Sequence, residues 1–398
     1  MANNNKHTGP NVPALRFPEF SEEWIESKLG DIADFSKGAG ISKDQRSEEG
    51  NPCILYGELY TRYKSEVITN VFSKTALPDS ELVKSKSNDI IIPASGETAE
   101  DIATARCVPF DNILLGGDLN IIRLHEQDGK FFSYQLNGVR KYNIATVAQG
   151  VSVVHLHAGD LKGITVKYPS HIAEQEKISQ ILGLIDDRIA TQSKIIEELT
   201  ALRSALTEKC SRQAGTLFSL ADILEETDER STVVNQYQVL SSTVKGIFSQ
   251  KEYFNKDIAS EDNKGYKVVR RGNVVLSPQN LWMGNINYNN RFDVGIVSPS
   301  YKIYSIKKGF NPTFIAALLK TKKALYEYML ASEQGASVVR RNLNVEAFMG
   351  ITFRIPNAYQ QEVLSKAIAA IDLKLSNELA IFEQLQLQKG SLLENMFI

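Results

Sequence analysis

The chain has 398 residues, 42% hydrophobic and 23% charged, a composition that excludes a disordered protein and leaves room for two or three globular domains. No apolar run approaches the ~18 residues needed to cross a membrane, and the opening MANNNKHTGPNVP lacks a secretory h-region, so a cytoplasmic protein without membrane contact is expected. The formal net charge of −2 opposes nucleic-acid binding weakly, unless basic groups are locally concentrated.

In chain order, residues 1–13 read as a polar, flexible tail. From 14 to 171, short apolar runs bounded by Gly, Pro, Asn and Ser (DIIIPA, NIIRL, GITVKYP) read as strands of a mixed, turn-rich domain. Pro169 closes the last strand, and a helix is expected over 172–212. Its apolar seam is Ile178, Leu182, Ile185, Ile189, Ile196 and Leu199, stepping by four and three, with Gln192 interrupting it. A second mixed domain, 213–357, offers NVVLSP, YKIYSI and GITFRIP as strands and a helix at 313–331; the counterpart near FFSYQLNGVRKYNIAT has a weaker pattern. After Pro356 a second helix, 358–398, repeats the seam with Leu364, Ile368, Ile371, Leu375, Phe382 and Leu385, interrupted by Glu378. Two amphipathic helices packed separately on their own domains would also fit, but the shared register and length favour an antiparallel coiled coil, each helix ~55 Å long.

The chain is one unit written twice. Gln149-Gly150 matches Gln334-Gly335, Ser152-Val153-Val154 matches Ser337-Val338-Val339, and Gly163-Ile164-Thr165 matches Gly350-Ile351-Thr352. Gln175-Glu176 and Ile185-Asp186 match Gln361-Glu362 and Ile371-Asp372. Fainter likenesses precede each copy: Leu29-Gly30-Asp31-Ile32 with Leu220-Ala221-Asp222-Ile223, and Asp89-Ile90-Ile91-Ile92 with Asn273-Val274-Val275-Leu276. A repeat of ~185 residues is too long for a solenoid. The expected fold class is therefore α+β: two mixed α/β domains separated by two long paired helices, with internal pseudo-two-fold symmetry. Residues 172–210 and 359–395 hold −4 of the charge, which leaves the rest of the chain at +2 and removes the objection to DNA.

Chemistry-bearing motifs are missing. Cys53, Cys107 and Cys210 are scattered and odd in number, which suits a reducing compartment and gives no metal pair. His155 and His157 could share a strand face, but without a third ligand a structural or surface role outranks a metal site. The twelve prolines are all isolated, so the Pro-Pro-aromatic motif of amino-methyltransferases is absent. No phosphate loop, HExxH, GxSxG or Cys/His nucleophile pair occurs, so no catalytic residue and no metal site is expected.

The opening PALRFPEFSEEWIESKLGDI, and the run Pro169, Gln175, Glu176, Ile178, Ile185-Asp186 and Ile189 with its repeat at Pro356, Gln361, Glu362 and Leu364, resembles the specificity (S) subunits of type I restriction-modification enzymes. The second domain departs from the pattern by having Phe218 and Ala221 near the places of Trp24 and Gly30. The resemblance implies two target-recognition domains, each reading one half of a bipartite, asymmetric site on double-stranded DNA. It implies helices that set the spacing, and docking of two methyltransferase subunits and two restriction (translocase) subunits. S-adenosylmethionine, ATP and Mg would then sit on those partners, with no cofactor on this chain.

Base and phosphate contacts call for Arg, Lys, Asn, Gln, Ser and aromatic groups on protruding loops. In the first domain the candidates are Tyr60, Arg62, Tyr63 and Lys64; Ser95, Thr98 and Arg106; and His155. In the second they are Ser241, Thr243, Lys245 and Lys251; Gln279, Asn280, Trp282 and Asn285; and Arg340 with Arg341. For each of these an ordinary solvated side chain is the competing reading. Two other functions compete with DNA reading: a coiled-coil assembly scaffold that never touches DNA, and an orphan nuclease or methyltransferase with unrecognised motifs.

Overall fold

The computed structural model describes residues 11–150, 153–254, 262–334 and 341–398. Residues 1–10, Ser152, most of the second Gln-Gly-x-Ser-Val-Val segment and Arg340 therefore lie outside the described residues. The chain forms two compact units, one of residues up to Ser193 together with Ile381–Ile398, the other Lys194–Ala380.

Both units are built on one frame. In the first, strand Ile25–Lys28 pairs antiparallel with Thr165–Tyr168, and the short helix Leu29–Ile32 follows. In the second, Thr216–Ser219 pairs with Thr352–Ile355, and Leu220–Ile223 follows. The same backbone bond locks each corner: Leu29 N–H to Ile164 O and Leu220 N–H to Ile351 O, both 2.9 Å. Each unit then carries a four-stranded antiparallel sheet of identical topology. The strand order is Ala33–Lys37, Leu119–Leu124, Asp89–Pro93, Arg106–Val108 in one, and Leu224–Thr227, Lys302–Ile306, Asn273–Leu276, Ile286–Tyr288 in the other.

Consecutive apolar residues run through the central strands, Ile90–Ile92, Ile121–Ile122 and Val274–Leu276, because both faces are covered. Ile90, Ile92 and Ile122 face a core with Phe131 and Phe132, whereas Ile91 and Ile121 face a second core with Ile54 and Leu115. Val274 and Leu276 likewise pack with Phe314, and Val275 with Leu240 and Val297. Around this frame the units diverge. The first adds a sheet of Arg46–Ser47, Ser73–Thr75, Asn51–Ile54 and Leu114–Leu115; the second adds the hairpin Leu240–Thr243/Gly246–Ser249 and the pair Lys267–Arg270/Val294–Val297.

The helix expected over 313–331 is two helices, Pro312–Leu318 and Lys322–Leu330. Thr321 breaks it: its hydroxyl accepts from Ala324 N–H at 3.2 Å and donates to Leu318 O at 2.9 Å, ending one helix and capping the next. The first unit breaks at the corresponding place, into Gly129–Asn137 and Lys141–Val147.

The long helices run Ile172–Ser211 and Ala358–Asn395 and pack against each other antiparallel. In the first unit Lys389 meets Asp186 at 2.7 Å, and in the second Arg203 meets Asp372. Every expected seam position is buried or half-buried: Ile178, Leu182, Ile185, Leu364, Ile368 and Leu385 are buried, and Ile189, Ile196, Leu199, Ile371, Leu375 and Phe382 are partly so. Beyond the second helix, Met396 and Phe397 are buried in the first unit's core, with the Phe397 ring 5.0 Å from Phe131 and 6.4 Å from Trp24.

Candidate nucleic-acid interface

The duplicated Pro…Gln-Glu motif is the joint between each long helix and its recognition frame. Gln175 donates to Pro169 O at 3.0 Å and accepts from Asp128 N–H at 3.0 Å. Gln361 does the same with Pro356 O and Asn311 N–H, both at 2.9 Å. Asp128 and Asn311 in turn cap the helices Gly129–Asn137 and Pro312–Leu318. One buried amide thus ties the end of a strand, the start of a domain helix and the first turn of a long helix. Apolar replacement would leave two backbone groups unpaired, at about 1–3 kcal/mol each. The first unit adds a second clasp: Arg16 forks onto buried Glu174 through two bonds of 2.8 Å.

The helix-to-helix ion pairs obey the same repeat. Asp186 and Asp372 lie 186 positions apart in the sequence, and so do Arg203 and Lys389. The two pairs are therefore one contact made twice. In the first unit the contact has grown into a buried cluster: Asp186 also accepts from Tyr134 Oη at 2.7 Å and Ser65 Oγ at 3.0 Å, and Lys389 reaches Glu66 as well. Burial pushes the Glu66 carboxyl above its ordinary range, with Lys389 opposing. Nothing in the sequence marks Glu66 or Lys389. Arg203 could have been found by carrying Lys389 back through the repeat.

The expected reading residues divide by burial. Tyr63, Ser95, Arg106, Ser241 and Asn285 are buried. Arg106, expected on a loop, lies on strand Arg106–Val108 and donates to Ala105 O and Tyr63 O, both at 2.9 Å. Asn285 accepts from Ser242 Oγ and donates to Ser242 O, both at 2.9 Å, which holds the 240–249 hairpin to the sheet. Ser95 sits in a strand pair opposite His155.

The others reach the surface wholly or in part. Tyr60, Arg62 and Lys64 surround the short helix Glu58–Thr61, with Arg62 held 3.3 Å from Glu58 and stacked over Phe72. Thr98 caps Ala99–Ile102, and the His155 imidazole is exposed. In the second unit Lys245 is exposed at the hairpin turn beside half-buried Thr243, and Lys251 is exposed on the following helix. Gln279, Asn280 and Trp282 share the 3-10 turn Pro278–Met283, and Arg341 lies over the Trp282 ring at 4.4 Å. The fold has brought those two candidates together from segments nearly sixty residues apart.

Among the described residues no group of three or more His, Cys, Asp or Glu could hold a metal ion, and no helix is long and apolar enough to cross a membrane.

The family model described as the type I restriction modification DNA specificity domain matches residues 21–201. Among solved structures, the S subunit of a type I restriction-modification system from M. genitalium is similar at a TM-score of 0.65 and 16% identity, over 97% of this chain and 99% of that one. A structure described as bearing on complex assembly and conformational transition of the type I R-M system is similar at 0.52 and 11%, over 94% and 97%. No curated protein matches. At these identities the structural likeness speaks for the fold, and it is the fold that the repeat, the two sheets and the helical pair had described. Residues 21–201 thus match the type I restriction modification DNA specificity domain, and the whole chain shares the fold of a type I restriction-modification S subunit.

Proposed function

We propose that this chain is the DNA-addressing subunit of a cytoplasmic type I restriction-modification complex, each unit reading one half of a bipartite, asymmetric site on double-stranded DNA. One observation carries the reading: two units share a frame down to single hydrogen bonds, yet present different polar side chains at their exposed tips. Lys64, Thr98 and His155 occupy the surface of one unit, and Lys245, Lys251, Gln279 and the Trp282–Arg341 pair that of the other. A frame kept constant under changing tips suits two domains that dock alike and read different bases. The paired helices set the spacing between half-sites and dock two methyltransferase subunits, and two restriction subunits complete the nuclease. S-adenosylmethionine, ATP and Mg act on those partners.

The test is binding of the complex with its methyltransferase subunit to duplex DNA across a salt series, together with methylome sequencing of cells that carry both. The expected outcome is affinity falling steeply with salt, by a slope of about −0.9 per phosphate contacted, and one methylated motif of two unlike halves. Salt-insensitive or absent DNA binding would favour the coiled-coil scaffold. Methyl transfer by the isolated chain would overturn the non-catalytic assignment.

A further inference from the structure

Where helix Pro312–Leu318 meets the two long helices, the second unit encloses a cavity of about 550 Å³. The first unit has one of about 510 Å³ in the corresponding place, with Tyr134 standing where Ala317 does and Asp186 where Asp372 does. The two cavities have opposite sign. Asp128, Glu176, Asp186 and Asp187 line the first against Lys130. Arg203, Lys245, Arg291 and Lys320 line the second against Asp372 alone.

Asp372 is taken by Arg203, and Arg291 reaches Glu252 at 3.0 Å. The Lys320 ammonium has only neutral acceptors, Gly284 O at 3.0 Å and Asn287 Oδ1 at 2.8 Å. No acid among the described residues pairs with Lys320 or Lys245. The fold therefore holds two uncompensated cations at one cavity, each from a different element, in a pocket partly screened from water. Coulomb attraction for an incoming anion is stronger there than at an open surface. Ammonium groups act as point charges with several donors each, which suits tetrahedral phosphate oxygens approached from different sides.

We propose that this cavity is a phosphate site, and that the group it takes in the assembled complex is a backbone phosphate of the DNA half-site read by the second unit. The proposal rests on the DNA reading above for the source of the phosphate, but not for the anion chemistry. The asymmetry gives it content: the equivalent acidic cavity of the first unit repels the same ligand, so the two half-sites are gripped differently.

Two measurements test it. Lys245→Gln alone, at the exposed hairpin turn, and Lys245→Gln with Lys320→Gln are assembled with the methyltransferase subunit and titrated with specific duplex across a salt series. Lys130→Gln in the first unit serves as control. The expected result is a loss of about tenfold in affinity and a salt slope shallower by about one, with the methylated motif unchanged and the control at wild-type affinity. In parallel, ³¹P line broadening reports binding of inorganic phosphate to the chain, which the double variant should abolish. Phosphate binding lost with DNA affinity unchanged would overturn the DNA source and leave a site for free phosphate. Neither measurement responding would overturn the site. A wild-type complex that binds no DNA but whose chain binds phosphate at Lys245 and Lys320 would sink the DNA reading and leave the anion site standing.

Discussion

The Lys320 ammonium is pushed down from 10.5 to about 8, first by burial and then by the charge of Arg203. The unfolded chain binds this proton more tightly, so between pH 8 and 10.5 it holds more protons than the native state, and stability rises with pH through that window. The effect is at most about 3 kcal/mol, at ~1.4 kcal/mol per pKa unit. Denaturant unfolding of wild type and Lys320→Met at pH 7.5, 9 and 10.5 should therefore show the wild type gaining on the variant as pH rises; a constant difference would contradict the assignment. Single residues are also where the sequence was least legible. Tyr63, Arg106 and Asn285 are the residue types expected at DNA, but Arg106 and Asn285 are spent on backbone carbonyls and the Tyr63 ring is packed in an apolar cluster. Whether a polar side chain in a turn-rich segment faces solvent or a neighbouring carbonyl depends on long-range packing, which local pattern does not encode. Lys320 was missed for the opposite reason: it looks like an ordinary solvated cation until the fold buries its ammonium against Gly284 O and Asn287 Oδ1.

Secondary-structure elements were far more legible. DIIIPA, NIIRL, GITVKYP, NVVLSP, YKIYSI and GITFRIP all became strands, because an apolar run cut short by Gly or Pro has few alternatives. The heptad seams became buried or half-buried stripes of the long helices, with Ile178 and Leu182 joining the first unit's core and Leu364 and Ile368 the second's. The periodicity over 313–331 hides a break, because the apolar pattern runs straight through Thr321 and only its side-chain cap separates the two helices. The seam yields its own prediction. Ile185 is 7% exposed, next to the Asp186–Lys389 pair, so Ile185→Asp buries a second carboxylate beside the first and should cost about 3 kcal/mol or more. Co-purification with the methyltransferase subunit should fall before the methylated motif changes. Undiminished assembly would count against the docking role of the helices.

For the whole molecule, the duplication makes the halves modular. Exchanging residues 14–170 for those of a related subunit should change one half of the methylated motif and leave the other intact, as methylome sequencing would show; a change in both halves would refute one unit per half-site. The modularity has a limit set by Met396 and Phe397, whose side chains lie in the first unit's core against Trp24 and Phe131. Those residues leave the ribosome only after all of Lys194–Ala380 has been made. At ~5–20 residues per second, a nascent first unit waits on the order of 10–40 s with an open aromatic core while the second unit emerges and can close by itself. The unit encoded first is the one completed last, and during that interval its unfinished core is exposed to chaperones and to other nascent copies of the chain.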